Sequence, residues 1–343
     1  MSSAPKWSVV ATVDEAPELT VAFVAYHLDL GAHEVFIFLD RSDDPVAAVL
    51  AQMDRCYVVA CDGDHWVRAG KAQRPYQHTH RQSTNANLAF AQSTADWLFH
   101  IDADEYLYPM GDWLDEMARV PKGHYLRVFN VERVRLAANP EPEHLFEGPF
   151  LRKLDAQESQ LLGAEAQFYH EGFSGHSVGK SAAPVGAKMR LSIHRPRLTK
   201  GPRPRPTPPK RVARAVTLLH FEDITPLAWT FKRVRRMIRN AGSDKPLKSS
   251  GHRQAQIDWL AAHAPTGAEA MAFYRRLCVI EADRATALRQ IDALYDLELD
   301  VQGALDRVCP QLKVDISPAR LDAWLWATKG DMLAQYGFKK GAL

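Results

Sequence analysis

The sequence predicts an α/β fold: a mostly parallel sheet flanked by helices, followed by a helical C-terminal appendage. Three observations lead there. Through residues 7–105, short apolar runs alternate with segments of helical spacing, the pattern of strands joined by crossover helices. Each apolar run ends in acidic residues. From residue 257 onward the apolar spacing is helical.

The elements follow in order. Residues 7–13, centred on Val9, Val10 and Ala11, read as a first strand. Asp14-Glu15-Ala16-Pro17 then opens a helix, because proline suits the first helical position. Leu19, Phe23, Tyr26 and Leu30 carry the helical spacing, and Gly31 supplies the stop. Residues 35–39 are a second buried strand ending at Asp40; residues 45–53 are a short helix. Residues 57–60 are a third strand, ending at Cys61-Asp62-Gly63-Asp64. Acids after strands can simply cap helices. Asp43 and Asp44 suit that role; Asp62 and Asp64 suit it less, since no strong helix follows them. Residues 68–81 are a polar connection in which His78, His80 and Arg81 suit an anionic ligand, with a solvated loop as the alternative. Residues 85–93 read as a helix.

Trp97, Leu98, Phe99, His100 and Ile101 form the central strand, and three acids follow within four residues: Asp102, Asp104 and Glu105. Burying a lone carboxylate is costly, so the strand ends here and the acids face a cleft. In an extended chain residues i and i+2 share a side. Asp102 and Asp104 then point together and suit a hard cation such as Mg²⁺ or Mn²⁺, which prefers carboxylate oxygen and keeps positions open for phosphates. Ligands of parallel sheets sit beyond the carboxyl ends of the strands. Asp14, Asp40, Asp62 and Asp102 all fall at such ends.

Further on, residues 113–117 read as a short helix and residues 125–134 as an alternating strand. Residues 136–149 are a loop carrying Glu141, Glu143, His144 and Glu147; residues 150–154 and 167–169 are strand candidates. Residues 170–181 combine Gly172, Gly175 and Gly179 with His170, Glu171, His176 and Lys180, which suggests close backbone approach. This is not a nucleoside-triphosphate loop, because Ser174 stands where that pattern needs glycine. Residues 188–194 alternate and close at His194. Residues 197–214 are dense in proline and arginine and are expected as a mobile basic loop or linker. Residues 215–221 are a strand containing His220. Residues 224–240 are a helix with a basic face of Lys232, Arg233, Arg235, Arg236 and Arg239, either solvated or turned to an anionic ligand or membrane surface. The expected division is a domain over residues 1–240, with residues 195–214 mobile, and a helical region over residues 241–343.

The chain has 343 residues, 46% of them hydrophobic and 24% charged, which fits a soluble globular protein. A net charge of +2 gives no global pull toward nucleic acid. Cys56, Cys61, Cys278 and Cys309 lack zinc spacing and read as reduced thiols of a cytosolic protein. The N-terminus lacks an apolar signal core, and no apolar run reaches the roughly 18 residues of a membrane span. The expected location is the cytoplasm, with any membrane contact peripheral and at the inner face.

These residues resemble a known family. Asp14-Glu15-Ala16-Pro17, the run from Val24 to Ala32, Asp40-Arg41-Ser42-Asp43-Asp44, and above all the run from Asp96 to Leu107 match it in order. Gly175-His176, Gly179-Lys180-Ser181, Ile193-His194-Arg195-Pro196 and Leu219-His220-Phe221 follow. The chain resembles family 2-type glycosyltransferases with a GT-A nucleotide-sugar-binding fold, of the bacterial branch with an Asp-x-Asp-Glu centre. The resemblance covers residues 8–240. It departs at the opening, where the family usually has Asn-Glu and this chain has Asp14-Glu15.

The resemblance implies a hexosyltransferase of polysaccharide biosynthesis. It would use Mn²⁺ or Mg²⁺, a nucleotide-sugar donor (a UDP-sugar being the expected one) and a glycan or lipid-linked acceptor. Asp102 and Asp104 would hold the metal, completed by His194 or His220. Asp14, Asp40 and Asp62 would belong to the donor site, Asp40 and Asp62 lining the base and ribose pocket. Lys180 and Arg81 would contact the diphosphate. Glu171 or Glu147 would be the catalytic base, with Glu105 as base or as support for the metal site. The competing expectation is a non-catalytic carbohydrate- or nucleotide-binding module on the same fold.

Overall fold

The structure is a computed structural model describing residues 4–140, 142–240 and 249–340, so Glu141 and the start of the expected C-terminal region lie outside the described residues. The chain forms two compact units: residues 1–130, 178–219 and 300–314, and residues 131–177, 220–299 and 315–343. Residues 131–177 and 220–240, expected with the N-terminal domain, therefore cluster with the helical segments, and residues 300–314 with the sheet. Elements are numbered along the chain.

The first unit is built on a seven-stranded sheet. Its strands are β1 (Trp7–Val13), β2 (Glu34–Leu39), β3 (Cys56–Ala60), β4 (Trp97–His100), β6 (Tyr125–Val128), β10 (Lys180–Pro184) and β13 (Lys210–Val212). The order is β3-β2-β1-β4-β10-β6-β13. All neighbours run parallel except β10, which is antiparallel to both β4 and β6. Every residue of β1 and β2 is buried, as expected of a parallel strand covered on both faces. Phe36, Phe38, Trp66, Phe90 and Leu98 pack with Val10 in one core.

Helices carry the crossovers: α1 (Pro17–Asp29), α2 (Val46–Leu50), α3 (Gly63–Arg68) and α4 (His78–Gln92). Proline starts α1, and Gly31, at φ +102°, ends it. The chain steps outward from β1 to β2 and β3, then returns to lay β4 on the other side of β1. That reversal is where open α/β sheets form a ligand crevice. The unit also holds β5 (Glu105–Pro109), α5 (Trp113–Ala118), the hairpin of β11 (Met189–Arg190) and β12 (Arg197–Leu198), most of β14 (Val216–His220), which neighbours β5, and α10 (Val301–Val308), which packs on α1.

Three expectations need correction here. Helix α4 begins at His78, not Asn85, because its first turns bury polar Arg81, Gln82 and Thr84 rather than apolar residues. Residues 125–134 form two strands, broken at Phe129. The proline-rich stretch is not wholly irregular. Proline cannot donate a backbone hydrogen bond but still accepts one: Pro206 accepts from Leu198 and Pro209 from Tyr125, and within the stretch β12 pairs with β11 and β13 with β6.

In the second unit, β7 (Asn130–Arg133) from Val131 onward pairs with β9 (Phe150–Leu151), and β9 with β16 (Leu294–Tyr295). Strand β8 (Arg135–Leu136) pairs with β15 (Val279–Ile280). The helices are α6 (Pro226–Asn240), α7 (Gly251–His263), α8 (Gly267–Cys278), α9 (Ala282–Gln290) and α11 (Pro318–Gln335). Helix α6 packs on α7, α8 and α11. Residues 167–169, expected as strand, instead end a 3₁₀ stretch, Glu158–Phe168, interrupted at Gly163. The region beyond 257 is mostly helical but includes the short strands β15 and β16. The four cysteines are free, and Cys61, Cys278 and Cys309 are buried. No helix among the described residues is long and apolar enough to cross a membrane.

Candidate functional site

In the first unit, β4 ends at His100, and Ile101 donates to Val10 of β1 across the reversal point. The acids that follow lie on a tight turn, not on an extended chain. The Glu105 N–H donates to the Asp102 carbonyl (3.1 Å), and the Asp102 N–H donates to Glu105 Oε2 (2.8 Å). Glu105 therefore closes the turn. It is fully buried, so the expectation that it faces the cleft as a base does not hold. Asp102 and Asp104 remain half-exposed.

Lys180 is the counter-charge. Its ammonium is fully buried, 2.5 Å from Asp102 Oδ2 and 3.3 Å from Glu105 Oε2. Burial alone would favour the neutral amine, but Asp102 and Glu105 outweigh it and hold the lysine protonated, its pKa raised. Gly179 makes this placement feasible: at φ +66°, with the Val128 carbonyl where a Cβ would stand, only glycine fits. Lys180 was expected on a diphosphate; the structure gives it to carboxylates. Gln82 of α4 donates to the other Asp102 oxygen (2.6 Å). Three carboxylates, Asp104 included, act on this one ammonium, a surplus of two negative charges.

The other strand-end acids have definite partners. Asp40, after β2, is buried and accepts both Nε and Nη2 of Arg81 at 2.7 Å, with Arg74 at 2.8 Å. Burial would raise its pKa, but Arg81 and then Arg74 hold it below the usual range. Arg81 spends its remaining Nη1 on the Pro75 and Tyr76 carbonyls. It is thus an orienting residue for Asp40 rather than the expected diphosphate contact. Asp62 caps α3, accepting from the His65 N–H at 2.7 Å. A helix does follow it, against expectation, because Trp66 anchors one short turn in the core. Asp14 lies 3.8 Å from Arg41, which also pairs with Asp44. His194 donates Nδ1–H to the Gly179 carbonyl (3.0 Å), which leaves Nε2 as its lone-pair nitrogen.

The second unit holds the remaining candidates. His220 is buried with Nδ1 3.1 Å from Glu132 Oε2. Glu132 also accepts the Ser174 and Gly175 N–H groups, and a Cβ on Gly175 would strike Glu132 and His220. The glycine-rich segment thus approaches this pair closely. His176 lies ring to ring with His220, centroids 4.5 Å apart. Glu171 pairs with Lys153 at 2.5 Å and His170 at 3.4 Å. Burial would raise its pKa, but Lys153 and Ser177 hold it low. Glu147 is half-buried beside Gly148 and Asn139.

Sequence reasoning missed Arg74, Gln82 and Asn85. Asn85 donates to Thr12 and to the Cys61 sulfur and accepts from His65, tying α4 to the ends of β1 and β3. The available signal was Arg81, Gln82 and Asn85 at helical spacing, a polar face with no apolar partner.

No family model and no curated protein matches this chain. Similar solved structures include HddC from Yersinia pseudotuberculosis, at 10% identity over 66% of this chain and 96% of that one, with a TM-score of 0.32. Mannose-1-phosphate geranyltransferase from Thermus thermophilus is 12% identical over 81% of this chain and 70% of that one, with a TM-score of 0.24. What the chain itself establishes is an α/β protein with a large, mainly parallel sheet flanked by helices.

Proposed function

We propose that the chain is a metal-dependent glycosyltransferase of the family 2 type, moving a sugar from a nucleotide-sugar to a glycan or lipid-linked hydroxyl. The observation that supports this reading best is the surplus of two negative charges on the turn after β4, beside β1, where the strand order reverses. A divalent ion suits both the charge and the oxygen donors there.

Asp102 and Asp104 would hold Mn²⁺ or Mg²⁺; the ion would neutralise charge on a departing nucleoside diphosphate. The protein's own groups prepare that site. Lys180 and Gln82 fix both Asp102 oxygens, so its carboxylate is oriented before any ligand arrives. Glu105 holds the turn. His194, its ring held by the Gly179 carbonyl, would be a further ligand or phosphate contact. An inverting reaction needs a carboxylate base to take the acceptor proton. Glu171, held low by Lys153, is a weak base; Glu147 is the other candidate. The donor, with UDP the expected nucleotide, would approach the ends of β1 to β4.

One observation favours the second reading, a nucleotide- or carbohydrate-binding module without catalysis: Lys180 already pairs with Asp102. Hydrolysis of a nucleotide-sugar panel, with Mn²⁺ and then with a chelator, separates the two. Mn²⁺-dependent release of one nucleoside diphosphate, abolished in Asp104→Asn, supports the transferase. Release that ignores both the chelator and the substitution would refute metal-dependent transfer.

A further inference from the structure

Two stretches of the chain concentrate cations, and they are housed differently. In helix α6, Arg233 turns inward to Glu222 at 2.8 Å; the same buried carboxylate takes Arg253 of α7 at 2.9 Å and faces Lys232 at 3.6 Å. The other stretch contains no acid. Residues 172–221 hold eleven lysines and arginines and not one aspartate or glutamate, in a chain whose net charge is +2. The rest of the chain is therefore net acidic.

Part of this charge has a structural reason. Lys180 is buried against Asp102 and Glu105. Lys210 and Arg211 lie on β13, an edge of the large sheet, where charge blocks pairing with another chain. The cations of the β11–β12 hairpin and its flanks have neither reason. Lys188, Arg190, Arg195, Arg197, Lys200 and Arg203 are all exposed, and none of them has an ion pair among the described residues. Arg190 stands directly opposite Arg197, and Met189 opposite Leu198. Opposed residues share a face and successive ones alternate. The hairpin thus has an inner face, where Met189 joins the core, and an outer face of paired arginines. Lys188, whose carbonyl takes the Thr199 N–H, continues that outer face. Like charges directly opposed destabilise a sheet, so this pairing works against the fold.

The face is also held in place. Asn87 of α4 accepts the Leu191 N–H and donates to the Leu191 carbonyl, each at 2.9 Å. Arg197 donates to Thr207 and to the Arg205 carbonyl, which orient its guanidinium without neutralising it. An exposed, unneutralised cationic face fits a surface of fixed negative charge. Residues 178–214 contain no Phe, Trp or Tyr, so no ring is present on which bases or sugars would stack. An anionic bilayer needs none: its surface potential holds clusters of about four to eight lysines and arginines.

We propose that the outer face of the β11–β12 hairpin docks the protein on an anionic lipid surface, with Arg190 and Arg197 at its centre. This goes beyond the transferase reading, because it concerns where the protein sits and not what it transfers.

The test is sedimentation of the full chain with vesicles of phosphatidylcholine, alone or mixed with phosphatidylglycerol, without nucleotide or metal. The protein should bind the mixed vesicles and not the neutral ones, and should release them as salt rises. Arg190→Gln with Arg197→Gln should weaken binding by about tenfold or more. Arg190→Lys with Arg197→Lys should retain it, since a surface potential reads charge rather than guanidinium geometry. Lys339→Gln with Lys340→Gln removes the same charge from exposed positions elsewhere and should leave binding unchanged. All four positions are exposed, and an unchanged melting temperature shows that each variant folds. Failure to bind the mixed vesicles, equal binding to the neutral ones, or equal losses in the two glutamine pairs overturns the proposal. Tighter binding of duplex DNA at the same salt would give the face to nucleic acid and overturn it too. None of these results bears on the Mn²⁺-dependent hydrolysis that tests the transferase.

Discussion

The two units bury charge in opposite senses. In the first, one ammonium, Lys180, meets three carboxylates. In the second, one carboxylate, Glu222, meets three cations. A lone buried charge is too costly to keep without a partner. What differs is the sign of the charge at the centre of each cluster.

The largest effect should come from breaking the second cluster. Glu222→Ala leaves Arg233 buried without its carboxylate and should cost about 3–5 kcal/mol in urea denaturation. Lys180→Met should cost nearly as much, by leaving Glu105 and Asp102 facing each other. Mn²⁺ should restore part of the stability of Lys180→Met and none of that of Glu222→Ala.

Acid should separate the units next. Burial holds His27 and His100, both in the first unit, neutral with pKa values lowered to about 4. His27 shows it directly: Nδ1 donates to the Phe23 carbonyl, and Nε2 accepts from the Leu107 N–H. The unfolded chain binds these protons near pH 6.5, so their contribution is complete above that pH and is lost as pH falls from 6.5 toward 4. Each is worth up to about 3 kcal/mol. The Glu222 carboxylate, held low, keeps its contribution until more acid conditions. Hydrogen exchange at pH 5 should therefore open first-unit amides before those around Glu222; the reverse order would contradict this view of the two clusters.

Smaller still, Gln82→Ala removes one hydrogen bond to Asp102 and should cost about 1 kcal/mol. Asp104→Asn, at a half-exposed turn position, should change stability by no more than about 0.5 kcal/mol.

Strands β1 to β4 were legible because an apolar run that stops abruptly at acids fits little besides a buried strand reaching the rim of its sheet. The Asp102–Glu105 centre was legible for the same reason. Its geometry was not: an extended Asp-x-Asp and a closed turn share one sequence, and only the partner of Glu105 distinguishes them. Lys180 lies 78 residues from Asp102, so no local pattern pairs them. The start of α4 was missed because its buried face is polar, Arg81 serving Asp40 and Gln82 serving Asp102. Hydrophobic periodicity is blind to a face built to hold acids. The basic face of α6 was seen, but a charge run does not reveal which arginine turns inward.

The most direct test of the account is thermal unfolding of wild type and Asp104→Asn with UDP and other nucleoside diphosphates, each with and without Mn²⁺. A ligand at about 100 times its dissociation constant stabilises the fold by roughly 2.7 kcal/mol. One nucleotide should stabilise wild type only with Mn²⁺, and Asp104→Asn should lose this response while keeping its own stability. Stabilisation that is indifferent to Mn²⁺, or that survives in Asp104→Asn, would contradict a metal site on the turn after β4.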